Sequence, residues 1–185
     1  MIITPGKEFL EYVLYNFRHT RADGSHYLTF EDVKKRALQL YAHRDEFAYL
    51  YGTDGQIATE ELIERQFKKY PGHFATRDLN AIREYTLGKV VFDCSGFIHT
   101  IFDAPDKTSL GIITDCSDVS TDLAAGVEGS VLFKPGHVGL DIGAGVFIDT
   151  ATECDTFRLK IIREYDWVKS GKWIHYADYT GATND

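Results

Sequence analysis

The chain has 185 residues, of which 44% are hydrophobic and 14% aromatic, and a formal charge of −8. That is apolar mass enough for one domain, or a small domain with a helical addition. The acidic balance and the absence of a dense Lys/Arg run exclude nucleic acid as a partner, and no run of about 18 apolar residues could cross a membrane. Three cysteines, an odd number, cannot form a complete disulfide framework, so at least one thiol is free.

In chain order, Thr4-Pro5 opens a helix with Phe9, Leu10, Val13, Leu14 and Phe17 on one face. Arg21 to Ser25 reads as a turn. Thr29 caps a second helix, with Asp32 completing a capping box, and Val33, Ala37, Leu38 and Tyr41 point inward. A tyrosine-rich stretch runs from Phe47 to Gly55. Thr59 caps a third helix carrying Leu62, Ile63, Phe67 and Tyr70, stopped by Pro71-Gly72, and a fourth covers Leu79 to Leu87.

Beyond residue 90 the pattern changes. Val90-Val91-Phe92 is a short apolar run, followed by a buried helix from the cysteine through Phe102. A short helix is expected near Asp118–Ala125. Strands are expected at Ser130–Lys134, His137–Ile142, Gly145–Thr150, Phe157–Ile162 and Trp173–Tyr179. Gly143-Ala144-Gly145 between two alternating runs is a hairpin signal. Helices first and a strand meander afterwards give an α+β fold, not an alternating one.

Asp93-Cys94-Ser95-Gly96 carries the chemistry. A cysteine in the first turn of a helix meets unpaired N–H groups that favour its thiolate; the alternative is a buried, inert thiol. Pro135-Gly136-His137-Val138-Gly139 starts a strand with a histidine, and Gly139 leaves the face beside the imidazole open. One hairpin later, Asp149 falls on the neighbouring strand, where it can fix the tautomer of His137. Cys94, His137 and Asp149 together have the logic of nucleophile, base and orienter.

Phe92-Asp93-Cys94-Ser95-Gly96-Phe97-Ile98, with the run from Gly136 to Ile148, resembles the NlpC/P60 family of cell-wall cysteine peptidases. The resemblance covers residues 45–179 and implies a papain-like core, with the cysteine on a helix packed against the sheet that supplies the histidine. It implies cleavage of peptidoglycan peptide stems, between D-glutamate and a diamino acid, with no cofactor. The third residue of that family is often His, so Asp149 is a departure, though chemically equivalent as an orienter.

Tyr49-Leu50-Tyr51-Gly52 resembles the family's Tyr-x-Trp-Gly segment, whose tyrosine lines the site, although it lies farther from the cysteine than is usual. Tyr49 is therefore the expected lining tyrosine, with Tyr85 as its competitor. Tyr51, Asp93, Ser95 and Gly136 join it as substrate-binding candidates; Asp93 and Ser95 can equally serve only as helix caps. The backbone N–H of Cys94 is the first oxyanion donor.

The expected organisation is a helical addition at 1–44 and a catalytic domain at 45–185, with a helical insertion at about 56–88. The calcium-loop mimic at Asp54–Glu61 lacks its first ligands, and no zinc spacing exists, so no metal is expected. Cys116 and Cys154 are read as loop thiols. His19, His26, His43, His73 and His175 are read as surface residues, and His99, Trp167 and Trp173 as structural ones. The partner is a peptidoglycan peptide and the chain is read as a monomer. No basic segment followed by an apolar one opens the sequence, so an export signal is not expected there. The same triad would also serve acyl or amide transfer, and a degenerate site would leave a wall-binding module.

Overall fold

The computed structural model describes residues 4–123, 127–152 and 155–173. It is a mixed α+β fold. Helix α1 (Pro5–Asn16) starts at the Thr4 cap, and helix α2 (Phe30–Ala42) at Thr29, where the capping box with Asp32 is formed. The turn between them is framed by two short strands, β1 (His19–Thr20) and β2 (His26–Tyr27), which the sequence pattern does not announce. Arg36 of α2 is fully buried. Its guanidinium donates to the carbonyls of Leu14, Phe17 and Ile101 and pairs with Asp103 at 2.9 Å. It thereby satisfies orphan carbonyls at the ends of two helices.

The tyrosine-rich stretch is a short strand, a turn and the start of a second strand. β3 (Phe47–Tyr49) pairs in parallel with β5 (Val90–Phe92), which pairs antiparallel with β4 (Asp54–Ile57). Between β4 and β5 lie α3 (Glu60–Lys69), α4 (Pro71–Phe74) and α5 (Leu79–Thr86). Pro71 ends α3 as expected but also opens α4, because its fixed φ and missing N–H suit the first helical position. α3 to α5 cover one face of the small sheet through Leu62, Ile63, Phe67, Phe74 and Ile82, packed with Ala48, Leu50 and Val91. The other face, Phe47, Val90 and Phe92, joins the main core with Leu10, Val13, Val33 and Leu40 of α1 and α2.

β5 leads into α6 (Cys94–Ile101). Next comes α7 (Ser109–Thr114), whose Ile112 and Ile113 are buried. The helix expected at Asp118–Ala125 is not found. Residues Cys116–Ser120 form edge strand β6, held by antiparallel pairing to β11 (Lys169–Trp173). Tertiary pairing wins there over local polarity, and residues 124–126 lie outside the described part.

The rest is the meander: β7 (Val131–Lys134), β8 (His137–Gly143), β9 (Val146–Thr152) and β10 (Asp155–Ile161), in a six-stranded sheet of order β10-β9-β8-β7-β11-β6. The β8–β9 hairpin turns through Gly143, Ala144 and Gly145, all at positive φ (95°, 54° and 72°). The last strand begins earlier than expected, at Lys169, and its expected continuation to Tyr179 lies outside the described residues.

Candidate active site

Cys94 is the first residue of α6. Asp93 caps the helix, its Oδ1 accepting from the Gly96 N–H at 2.7 Å and from Ser95 Oγ at 2.9 Å. Its Oδ2 accepts from the Gly52 N–H at 2.9 Å, tying the helix start to the β3–β4 turn. Gly96 is required by packing: a Cβ there would lie 2.0 Å from the Thr53 carbonyl oxygen. That contact seats the cysteine-bearing helix directly on backbone.

The six-stranded sheet brings the partners. The Cys94 thiol is 3.9 Å from the Gly136 carbonyl and within reach of the Val138 N–H, so sulfur sits between the backbone groups on either side of His137. His137 Nε2 lies 2.7 Å from Asp149 Oδ2. Asp149 is fully buried and accepts there, which puts the hydrogen on Nε2 and leaves Nδ1 as the basic nitrogen. The glycine at 139 makes this possible, because a Cβ there would come within 3.2 Å of Asp149 Cβ and 3.1 Å of the Trp167 ring.

Two residues complete the surroundings that sequence reasoning did not include. Arg158, opposite Asp149 in the β9–β10 register, donates from Nε to Oδ1 at 2.9 Å and from Nη2 to Oδ2 at 2.5 Å. Trp167, read as packing alone, stacks on the imidazole with centroids 5.5 Å apart and planes 12° from parallel. The strand pattern held the signal for Arg158, had the register of β10 been fixed. For Trp167, on the segment before β11, no local signal exists.

The electrostatics reverse one expectation. A helix N-terminus favours a thiolate, yet burial, and next to it the charge of Asp93, push the Cys94 thiol up to about 12. Desolvation outweighs the dipole because Cys94 is only 6% exposed and the cap is itself an anion. The resting thiol is therefore protonated at neutral pH and depends on a base.

A cleft of about 480 Å³ opens beside Cys94. Tyr51, Asp93, Ser95 and Gly136 are among the residues that line it. Tyr49 does not: it is buried in β3, paired with Phe92. Tyr85 does not either, its hydroxyl being directed to Thr156 on β10. Tyr51, two positions along, lines the cleft with Tyr70; it stacks on His73 at 3.9 Å, and burial, with the charge of Asp93 next, raises its hydroxyl. His73 is thus a half-buried partner of the cleft wall and not a free surface residue. His99, placed off the cysteine's face by its spacing, also reaches the cleft, paired with Asp106 at 3.2 Å. Cys116 is half-buried on β6 rather than in a loop, and Cys154 and His175 lie outside the described residues.

No protein-family model matches the chain, and no curated protein matches its sequence. Among solved structures, NlpC2 from Trichomonas vaginalis is similar with a TM-score of 0.47 at 15% identity, over 76% of this chain and 46% of that one. The chain thus spans about half the length of that structure. A superposition at this score and identity carries no weight for the chemistry, which rests on the residues themselves.

Proposed function

We propose that this chain is a cysteine peptidase or amidase with a papain-like core of the NlpC/P60 kind, hydrolysing amide bonds in peptidoglycan peptide stems at the bacterial cell wall. The observation that carries the reading is a helix-start cysteine lining a cleft, its sulfur against the backbone on either side of His137, whose imidazole pairs with the buried Asp149. The Cys94 and His137 motifs quoted above support the substrate class, with the D-glutamate–diamino acid bond as the target.

In this reading His137 takes the thiol proton as sulfur attacks the scissile carbonyl, since the thiol does not ionise unaided. The Cys94 N–H, at the first helical position, has no intrahelical acceptor and can donate to the developing oxyanion. Asp149 stabilises the imidazolium, which then protonates the leaving amine, and water attacking with His137 as base releases the acyl group from sulfur.

The test is incubation of the protein and its Cys94→Ala variant with purified peptidoglycan of several chemotypes, with fragments identified by mass spectrometry. Release of peptide fragments is expected from the native protein and a loss on the order of 10⁴-fold or more from the variant. Equal release by both, or none by either, refutes the hydrolase.

A further inference from the structure

Two ion pairs stand next to His137. Asp149 is matched by Arg158 through two parallel hydrogen bonds, the geometry a guanidinium offers and an ammonium does not. Lys134 stands opposite His137 on β7 and pairs with Asp166 at 2.6 Å. Asp93, a further carboxylate, acts on the sulfur. The Arg158 guanidinium is itself fixed, with its central carbon 5.2 Å from the Tyr165 ring centroid. Its Nη2 lies 3.4 Å from His137 Nε2, so a second positive charge on the imidazole would form close to the first. An uncancelled buried carboxylate in that position would strongly favour imidazolium.

We propose that Arg158 is a positioning residue of this site: it locks the Asp149 carboxylate and cancels its charge, so that Cys94 and His137 rest as neutral thiol and neutral imidazole instead of an ion pair. The inference rests on the reading of Cys94, His137 and Asp149 as the reacting group but not on which amide is cleaved. Burial and the neighbouring Asp93, which hold the thiol protonated, act in the same direction.

The experiment is the pH profile of Cys94 alkylation by iodoacetamide from about pH 5 to 10, with the modified peptide quantified by mass spectrometry so that Cys116 is counted separately. Native protein is expected to show a single alkaline inflection and no reactive plateau on the acid side. Arg158→Met, which keeps bulk and removes charge, should gain an acid-side plateau, with the rate near pH 6 up about tenfold, the equivalent of about one pH unit. Arg158→Lys keeps the charge and should keep the alkaline inflection. An Arg158→Met profile matching the native one overturns the proposal. If Arg158→Met does not fold, proton NMR of the native protein still decides: an imidazolium at about pH 8 that is absent from Cys94→Ala would mean a resting ion pair and also overturns it. Alkylation needs no substrate. A protein with the expected profiles that releases nothing from peptidoglycan therefore fails the proposed function while supporting this inference.

Discussion

Asp141 is a carboxylate in the middle of β8 with 1% of its surface exposed. One oxygen accepts from the Gly143 N–H at 2.8 Å, and the other has no partner among the described residues. Burial, and secondarily the charge of Glu128, raise it above the usual carboxylate range, against the Gly143 hydrogen bond. A group whose folded pKa lies above its unfolded one binds protons more tightly when folded, so its stabilising contribution is complete in acid and is lost as pH rises through the folded value. Asp141→Asn keeps the acceptor for Gly143 and removes the charge. It should raise stability at pH 7 by on the order of 1 kcal/mol, the gain shrinking towards zero below about pH 4. Urea midpoints at the two pH values measure this, and equal or lower stability of the variant at pH 7 would contradict it. Residue-scale features like this one separate what was legible from what was not. Cys94, His137 and Asp149 were readable because each sits in a local motif whose strand or helix places it. Arg158 was not, because its place opposite Asp149 depends on a register that continues to Thr152 and Asp155, beyond where the alternating pattern stops. Tyr49, favoured as the lining tyrosine, is held away from the cleft because the three-residue strand β3 takes it into the small sheet, while Tyr51, named beside it as a candidate, follows that strand and lines the cleft.

At the scale of elements, capping explains most of what the sequence announced: Thr4, Thr29, Thr59, Asp78 and Asp93 each accept a backbone hydrogen bond at the start of a helix. α7 and β6 were not announced, since a six-residue helix with a central glycine and two isoleucines has no clear period, and β6 is a strand only because β11 pairs with it. The contact between α6 and the β3–β4 turn makes a sharper point. An exposed helical Gly→Ala change is worth a gain of about 1 kcal/mol. At Gly96 the new Cβ would stand 2.0 Å from the Thr53 oxygen and 2.9 Å from its carbonyl carbon. Thr53 cannot withdraw without breaking its 2.8 Å hydrogen bond from the Asp93 N–H, the residue that caps the same helix. Gly96→Ala should therefore cost about 2–3 kcal/mol by chemical denaturation, with α6 displaced. A neutral or stabilising result would show that the close approach is not needed.

Taken whole, the two larger of the molecule's three described sheets meet at a seam, and the candidate site lies on it. The small sheet and α6 deliver Cys94, and the six-stranded sheet delivers His137 and Asp149, so their approach depends on how firmly the sheets are joined. The join is aromatic. Phe157 of β10 packs against Phe47 of β3 with centroids 5.7 Å apart, and against Phe97 of α6 at 5.1 Å, both edge-on. Beside them, Thr156 Oγ1 donates to the Phe47 carbonyl at 3.3 Å. All three phenylalanines belong to one continuous core that also takes in α1, α2 and Trp173, which makes the two sheets a single cooperative unit. Phe157→Ala should cost about 3–5 kcal/mol, and the loss should be felt equally on both sides of the seam. Native-state hydrogen exchange reads this directly: the amides of Val91 in β5 and Leu140 in β8, each buried in its own sheet, should lose the same free energy of protection in the variant. A drop confined to one sheet would mean that the halves open independently, and that the distance from Cys94 to His137 is not set by this core.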